Sequence, residues 1–161
     1  MFVAGYERPV LVGGAVVEIY SGSAINTGDF DIVTGRQEEF ERLLQGHGFV
    51  RPSGRGKAIR GWIHPDLGLG FEVVAANLFD GRAEKDRVQL IALDSGTISL
   101  IALEDIIADR VGQYASGTAL EMLVQAKALF LLYADADMVY LERRIREETG
   151  GEYGVDTLRN G

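Results

Sequence analysis

The segment from Val10 to Thr34 constrains the fold more than any other part of this 161-residue chain. It opens with a short apolar run, Val10-Leu11-Val12, that breaks at Gly13-Gly14. Residues 15–20 are amphipathic and predict a helix of one or two turns. A polar loop then leads to residues 29–33, Asp-Phe-Asp-Ile-Val, whose alternation of polar and apolar residues predicts a strand. The segment therefore predicts a strand, a glycine turn, a short helix and a second strand.

Two carboxylates share one face of the second predicted strand. Because side chains on a strand point to opposite faces in turn, Asp29 and Asp31 lie on one face and Phe30 and Ile32 on the other. Neighbouring carboxylates repel each other unless a cation lies between them. Mg²⁺ prefers carboxylate oxygens and leaves positions for water and phosphate, and two such ions can hold the attacking and leaving oxygens of an in-line displacement. The pair therefore indicates metal-assisted phosphoryl or nucleotidyl transfer.

The Gly13-Gly14 pair fits the same chemistry. Without Cβ atoms the backbone can approach a triphosphate closely, and the free N–H groups at the start of the following helix favour an anion. Taken alone, two glycines indicate only an ordinary tight turn. Together with Asp29 and Asp31 they predict a phosphate-binding turn beside a metal site.

The pattern Gly13-Gly14 followed by Thr27-x-Asp29-x-Asp31 resembles the signature of the DNA polymerase beta-type nucleotidyltransferase superfamily. The resemblance is to its small stand-alone members, which include minimal nucleotidyltransferases and abortive-infection toxins. It implies transfer of a nucleoside monophosphate from an NTP with Mg²⁺ or Mn²⁺, and a nucleotide site that includes Gly13, Gly14 and Thr27. The family often has an arginine two positions before the threonine, where this chain has Ile25.

The family pattern also includes a third acidic residue on a later strand, and Glu72 is the candidate. It is a lone acid among apolar neighbours in the predicted strand 69–75. The resemblance then implies that Asp29, Asp31 and Glu72 are the metal ligands and catalytic carboxylates, with Glu72 as the base that helps deprotonate the acceptor. The alternative is that Glu72 is an edge-strand residue facing water.

Arg110 is the candidate cation for this site. It falls within the apolar stripe of a predicted helix, 103–114, and a charge in such a position is rarely left unpaired. Arg110 can pair with a structural acid, or it can bind the site carboxylates or a nucleotide phosphate in a bidentate manner. In contrast, Lys127 is expected to extend along the surface. Trp62 is expected in the core, although it would share the face of Glu72 if the two lay opposite each other.

Composition excludes several classes of function. A net charge of −8 and a pI near 4.8 argue against bulk binding to DNA or other nucleic acid. The absence of cysteine excludes disulfides and thiolate metal sites, and the two histidines lie too far apart in the sequence to support a zinc site. With no secretory signal, and with an apolar stretch at 122–134 that is too short to span a membrane, we expect a cytoplasmic protein.

The remaining patterns predict an α+β fold with a mixed sheet first and helices after it. Further strands are predicted at 58–64, 69–75, 88–93 and 97–100, and helices at 37–45, 103–114, 119–134 with Thr118 as its cap, and from Asp135 or Asp137 to about Glu148. The resemblance implies a single nucleotidyltransferase-like domain, 1–161. Its sheet core, 1–101, carries the acidic site, and a helical part, 102–150, precedes a loose tail, 151–161.

Two functions remain open from the sequence. The first is a Mg²⁺-dependent nucleotidyltransferase whose acceptor is an RNA, a protein or a small molecule. The second is a catalytically silent member of the fold that acts as a binding protein or toxin–antitoxin component. A helical half with an acidic surface would suit a homodimer or another protein partner. Ile25, in the position where the family often has an arginine, favours the second function. The acids Asp29, Asp31 and Glu72 favour the first.

Overall fold

The computed structural model describes residues 8–23, 26–53, 61–117 and 119–160. Ile25, Thr118 and the first part of the predicted strand 58–64 lie outside these residues. The strands are β1 Val10–Val12, β2 Asp29–Val33, β3 Trp62–His64, β4 Leu69–Ala75, β5 Gln89–Leu93 and β6 Gly96–Leu100. The helices are α1 Gly14–Ser21, α2 Gln37–Gly46, α3 Leu103–Ala115, α4 Glu121–Leu132, α5 Met138–Glu148 and α6 Asp156–Arg159, with 3₁₀ helices at Leu78–Gly81 and Lys85–Arg87.

The strands form one six-stranded mixed sheet in the order β3-β4-β2-β1-β6-β5. The two strands of the predicted strand–turn–helix–strand unit, β1 and β2, lie side by side at its centre and are antiparallel. Each has a parallel outer neighbour, β6 beside β1 and β4 beside β2. The edge strands β3 and β5 are antiparallel to those neighbours. The predicted α+β fold with a mixed sheet is confirmed.

The two faces of the sheet bury different sets of side chains. Val10, Val12 and Val33 belong to the main apolar core, which also contains residues of α3, α4 and α5. On the opposite face, Phe30 stacks on Phe71 with 5.1 Å between ring centroids. Phe71 in turn packs against a smaller cluster formed by Leu44, Phe49 and Trp62. Asp31 therefore lies on the sheet face that the helical half covers, because Asp31 and Val33 share a face.

Hairpin register places Trp62 away from the acids. Trp62 lies opposite Phe71, not Glu72, so its side chain shares the face of Phe71. Trp62 is buried in the smaller cluster, which confirms its expected position in the core. Lys127, which is expected to extend along the surface, donates a hydrogen bond from its Nζ to the Asn160 carbonyl at 2.6 Å.

The C-terminal residues differ from the expected loose tail. The chain forms α6 there, and Val155 and Leu158 are buried in the main core. Val155 and Leu158 are three positions apart in the sequence, so a short helix places both side chains on the same side, toward the core. Of the two expected starts for α5, the structure uses Asp137, whose carboxylate accepts the Tyr140 N–H at 3.0 Å. Within the described part of the chain, no helix has the length and apolar character needed to cross a membrane.

Candidate active site

The Gly13-Gly14 turn and Asp31 are neighbours at the centre of the sheet. Asp31 lies opposite Val12, the last residue of β1, so the chain turns into α1 directly beside its carboxylate. Gly13 has a φ of +74°, and a Cβ built there would overlap the Asp31 carboxylate. At Gly14, which is the first residue of α1, a Cβ would meet nothing within 4 Å. The two glycines therefore have different roles, because only Gly13 needs the left-handed backbone and the close approach.

These two glycines give a matched pair of substitutions. Gly13→Ala should destabilise the fold by roughly 1–2 kcal/mol from backbone strain alone, and more through the displaced Asp31 carboxylate. Gly14→Ala should not lower the melting temperature and should raise it by up to about 4 °C, because the site is open and alanine is favoured over glycine in a helix. Thermal melts of both variants test this. Equal melting temperatures for the two variants would contradict the assignment of the close contact to Gly13.

The three predicted metal ligands lie on one face but do not converge. In the parallel pair of β2 and β4, Asp29 lies beside Gly70 and Asp31 beside Glu72. The Asp29 carboxylate leans over Gly70, where a Cβ would come within 2.8 Å of its Oδ1, whereas the Asp31 carboxylate leans toward Gly13. No group of three described His, Asp or Glu side chains is close enough to hold a metal ion. A site built from all three carboxylates therefore stays a prediction.

The charge around Asp31 is nevertheless unfavourable for a bare carboxylate. Burial raises the pKa of Asp31 above its ordinary value, the neighbouring Glu72 carboxylate raises it further, and Arg110 lowers it in part. Asp29 and Asp109 add smaller contributions that also raise it. The chemistry of the adjacent pair Asp31 and Glu72 fits a hard divalent cation, since a cation would stabilise both ionised groups.

The raised pKa of Asp31 predicts how its removal changes stability with pH. An acid whose pKa is higher in the folded than in the unfolded state contributes stability below the unfolded value, and this is lost as pH rises through the folded value. In metal-free buffer, Asp31→Asn should therefore gain stability relative to the wild type between pH 4 and pH 8. Urea unfolding at several pH values measures this gain. A difference that shrinks as pH rises would contradict it.

Asp31 and the glycine turn line an open cavity of about 350 Å³, and α3 forms another part of its wall. The Arg110 side chain forms part of its wall and is only 7% exposed. Its Nη1 donates to the Met122 sulfur at 3.0 Å, and its Nε lies 3.4 Å from Asp109 Oδ2. That Nε has no hydrogen-bond partner among the described residues. The cavity is thus lined by a nearly buried arginine side chain and by the glycine turn.

Arg110 has the first of the two roles that the sequence left open, a pair with a structural acid, and its role in binding a phosphate stays a prediction. Its closest acid is Asp109, the preceding residue on the same helix, while its charge also lowers the pKa of Asp31. The acids that line the cavity are Asp31, Asp80 and Asp109, and the described positions Asp29 and Glu72 do not line it. Asp109 was missed because a single acid on a helix gives no signal of the face on which it lies. Burial raises the pKa of Asp109, against the opposing effect of Arg110.

Thr27 has a local contact that the motif alone does not reveal. Its hydroxyl accepts the Asp29 N–H at 3.2 Å and donates to the Asp29 carbonyl at 3.1 Å. The Glu18 carboxylate on α1 accepts the Thr27 N–H at 3.3 Å. These bonds position the start of β2, and with it Asp29, relative to α1. The placement of Thr27 against a nucleotide stays a prediction.

One further feature of the cavity wall lies between β4 and β5. Phe79 and Asp80 both have positive φ angles, 45° and 55°, which non-glycine residues seldom adopt. Both residues line the cavity. The dipeptide Asp80-Gly81 is typical of a turn, but it gives no indication that two residues with side chains have left-handed backbone angles. Such backbone strain is concentrated at functional sites in proteins generally.

Comparison of the whole structure with known proteins finds the same architecture. No protein-family model and no curated protein sequence matches the chain. The structure is similar to that of an antigenic nucleotidyltransferase-like protein from Paracoccidioides brasiliensis, with a TM-score of 0.59, 15% identity, and coverage of 94% of this chain and 84% of that one. It is also similar to the antibiotic-resistance factor ANT(2'')-Ia, with a TM-score of 0.53, 14% identity, and coverage of 87% and 80%. At such identities the likeness concerns the fold alone, and the chain has a nucleotidyltransferase-like fold.

Proposed function

We propose that this protein transfers a nucleoside monophosphate from an NTP to an acceptor. The observation that carries the proposal is that the Gly13-Gly14 turn, Asp31 and Arg110 line one cavity. A guanidinium in a protein interior is costly unless it meets an anion, and Arg110, which already pairs with Asp109, has further N–H groups that can donate to a second one. A nucleotide phosphate would supply that anion, and the fold shared with nucleotidyltransferase-like structures supports this choice.

Each residue then has a definite task. Arg110 donates to a phosphate oxygen, and its contacts with Met122 and Asp109 hold the guanidinium in place. The N–H groups at the start of α1 face the same anion. Asp31, with Glu72 beside it, would hold Mg²⁺ or Mn²⁺, which when bound neutralises phosphate charge and polarises the phosphoryl group. Asp29 as a further ligand and Glu72 as the base are parts of the same proposal.

Labelled NTPs test the proposal directly. The protein is incubated with each α-labelled NTP, Mg²⁺ or Mn²⁺ and a cell extract, and the label is followed into RNA, protein and small-molecule fractions. We expect label in one fraction, lost with chelator and in Asp31→Asn. Label that persists in Asp31→Asn would place the chemistry elsewhere. The proposal would be overturned if no NTP transferred label and no NTP raised the melting temperature.

A second candidate function, protein binding, is favoured by one observation on α4. Its solvent side carries an apolar stripe in which Leu120, Val124 and Leu131 are 77%, 69% and 80% exposed. Apolar stripes of this kind mark protein interfaces, and homodimer interfaces are the most apolar class. A second copy of the chain is therefore the partner we expect. Sedimentation of the wild type and of Val124→Glu tests it, since a monomer at all concentrations would exclude the homodimer.

A further inference from the structure

A second cavity, of about 280 Å³, adjoins the first on the same face of the sheet. Val33 and Asn77 line both cavities, so the two are neighbours with a shared wall. Most of the surface of its wall is apolar, and its aliphatic residues besides Val33 are Val10, Ala76, Leu78, Val88 and Leu90. A mainly apolar cavity with a few polar groups is the usual form of a small-molecule site. We call this second cavity the side pocket.

Strand register fixes how far the side pocket lies from Asp31. Val10 pairs with Val33 on one side and with Ser99 on the other, so these residues form one row across the sheet. All of them line the side pocket. The next row on the same face contains Val12, Asp31 and Glu72. Rows on one face are two residues apart, or roughly 7 Å at about 3.3 Å per residue. A molecule of modest length in the side pocket could therefore place one end beside Asp31.

The charges of the two cavities have opposite sign. The charged residues that line the side pocket are Arg8 and Lys85, and no described acid lines it. The first cavity, in contrast, is lined by three carboxylates and one guanidinium. In a chain with a net charge of −8, both charged residues that line this pocket are cations, although Lys85 also has an interaction of its own. Two nearly buried hydroxyl residues, Thr34 and Ser99, add hydrogen-bonding groups to its wall.

We propose that the side pocket binds the acceptor, and that the acceptor is a small organic anion with an apolar body and a hydroxyl group. This inference rests on the proposed function of the neighbouring cavity. The carboxylate or phosphate of the acceptor would lie near Arg8 and Lys85, its body along Val10 and Val33, and its hydroxyl toward Asp31. That hydroxyl oxygen forms a bond to the α-phosphorus of the NTP. The bond from this phosphorus to the β-phosphate oxygen breaks, pyrophosphate leaves with the electron pair, and the hydroxyl proton passes to Glu72, the base of the proposed function.

Three probes of nearly equal size and different charge test the pocket without an NTP. They are 4-hydroxybenzoate, 4-hydroxybenzamide and 4-hydroxybenzylamine, and their dissociation constants are measured by calorimetry or amide chemical shifts. We expect the anion to bind about tenfold more tightly than the neutral amide, and the cation to bind least. Arg8→Gln and Lys85→Gln should each remove most of that preference. Arg42→Gln, which removes an exposed arginine on α2 outside the pocket, should not change it.

The outcomes separate this inference from the proposed function. If the amide binds as tightly as the anion, if the anion does not bind, or if both Arg8→Gln and Lys85→Gln leave its affinity unchanged, the side pocket is not an anion site. Label transfer from an NTP in the same preparation would then still support the proposed function. Conversely, Arg110→Met should leave the affinity for 4-hydroxybenzoate unchanged while it weakens NTP binding. Loss of both affinities in that variant would show that the probe occupies the nucleotide cavity instead.

Discussion

Arg144→Met should lower the free energy of unfolding by about 3–5 kcal/mol, which is the usual cost of removing one partner from a buried ion pair. Arg144 on α5 is fully buried, and its Nε donates to Asp105 on α3 at 2.6 Å. Its other two nitrogens donate to Glu147 and Glu148, each at 2.7 Å. Burial acts to lower the pKa of Arg144, but these three hydrogen bonds outweigh it and raise the pKa above the ordinary value. Without the guanidinium, the Asp105 carboxylate would remain buried with the Tyr140 hydroxyl as its main partner.

Arg143→Met is the matched control on the same helix. Arg143 pairs with Glu84 and Glu147, but its side chain is 46% exposed, so the loss should stay below about 1 kcal/mol. A cost of 3–5 kcal/mol corresponds to a fall of roughly 6–20 °C in the melting temperature for a domain of this size. The double variant Asp105→Leu with Arg144→Met should recover much of it. Equal losses in Arg143→Met and Arg144→Met would show that the buried network does not hold α3 against α5.

The sequence predicted the elements around the site well because local patterns determine them. The strand 29–33 alternates polar and apolar residues, and the structure has a strand with these bounds. The strand 69–75 and the start of α3 at Leu103 are likewise confirmed. In each case the signal is the period of the apolar residues, with glycine or a change of period at the ends. These patterns also predicted a mixed sheet followed by helices, and the family resemblance implied the same order.

Long-range pairing could not be predicted in the same way. Asp105 and Arg144 are separated by 39 residues, and neither residue shows in the sequence that the other neutralises it. The lining of the cavity beside Asp31 by Asp109, and not by Glu72, depends on how α3 crosses the sheet. The sequence could place Arg110 in an apolar stripe, which was enough to predict burial but not to identify its partners. Its contact with Met122 is set by the packing of α3 against α4, and helix periodicity carries no information about the neighbouring helix.

Arg110→Met should weaken NTP binding by about 10- to 100-fold, since a hydrogen bond to a charged group contributes roughly 1.5–3 kcal/mol. The variant keeps a long apolar side chain beside Met122, so the packing of α3 against α4 should change little. Calorimetry with a non-hydrolysable ATP analogue and Mg²⁺ measures the loss. Arg42→Met is the control, because the Arg42 side chain is 74% exposed on α2 and should have no effect on affinity.

The stability of the same variant separates a nucleotide site from a structural ion pair. Without Arg110, the Asp31 and Asp109 carboxylates both lose the cation that acts to lower their pKa values. In chelator the variant should therefore melt below the wild type. Added Mg²⁺ should restore the part of the lost stability that comes from the uncompensated Asp31 carboxylate. The part that comes from Asp109 should remain, because in the wild type Asp109 pairs with Arg110 on the same helix. A loss that metal does not change, together with unaltered ATP affinity, would make Arg110 a structural residue only, and would favour the protein-binding function over nucleotidyl transfer.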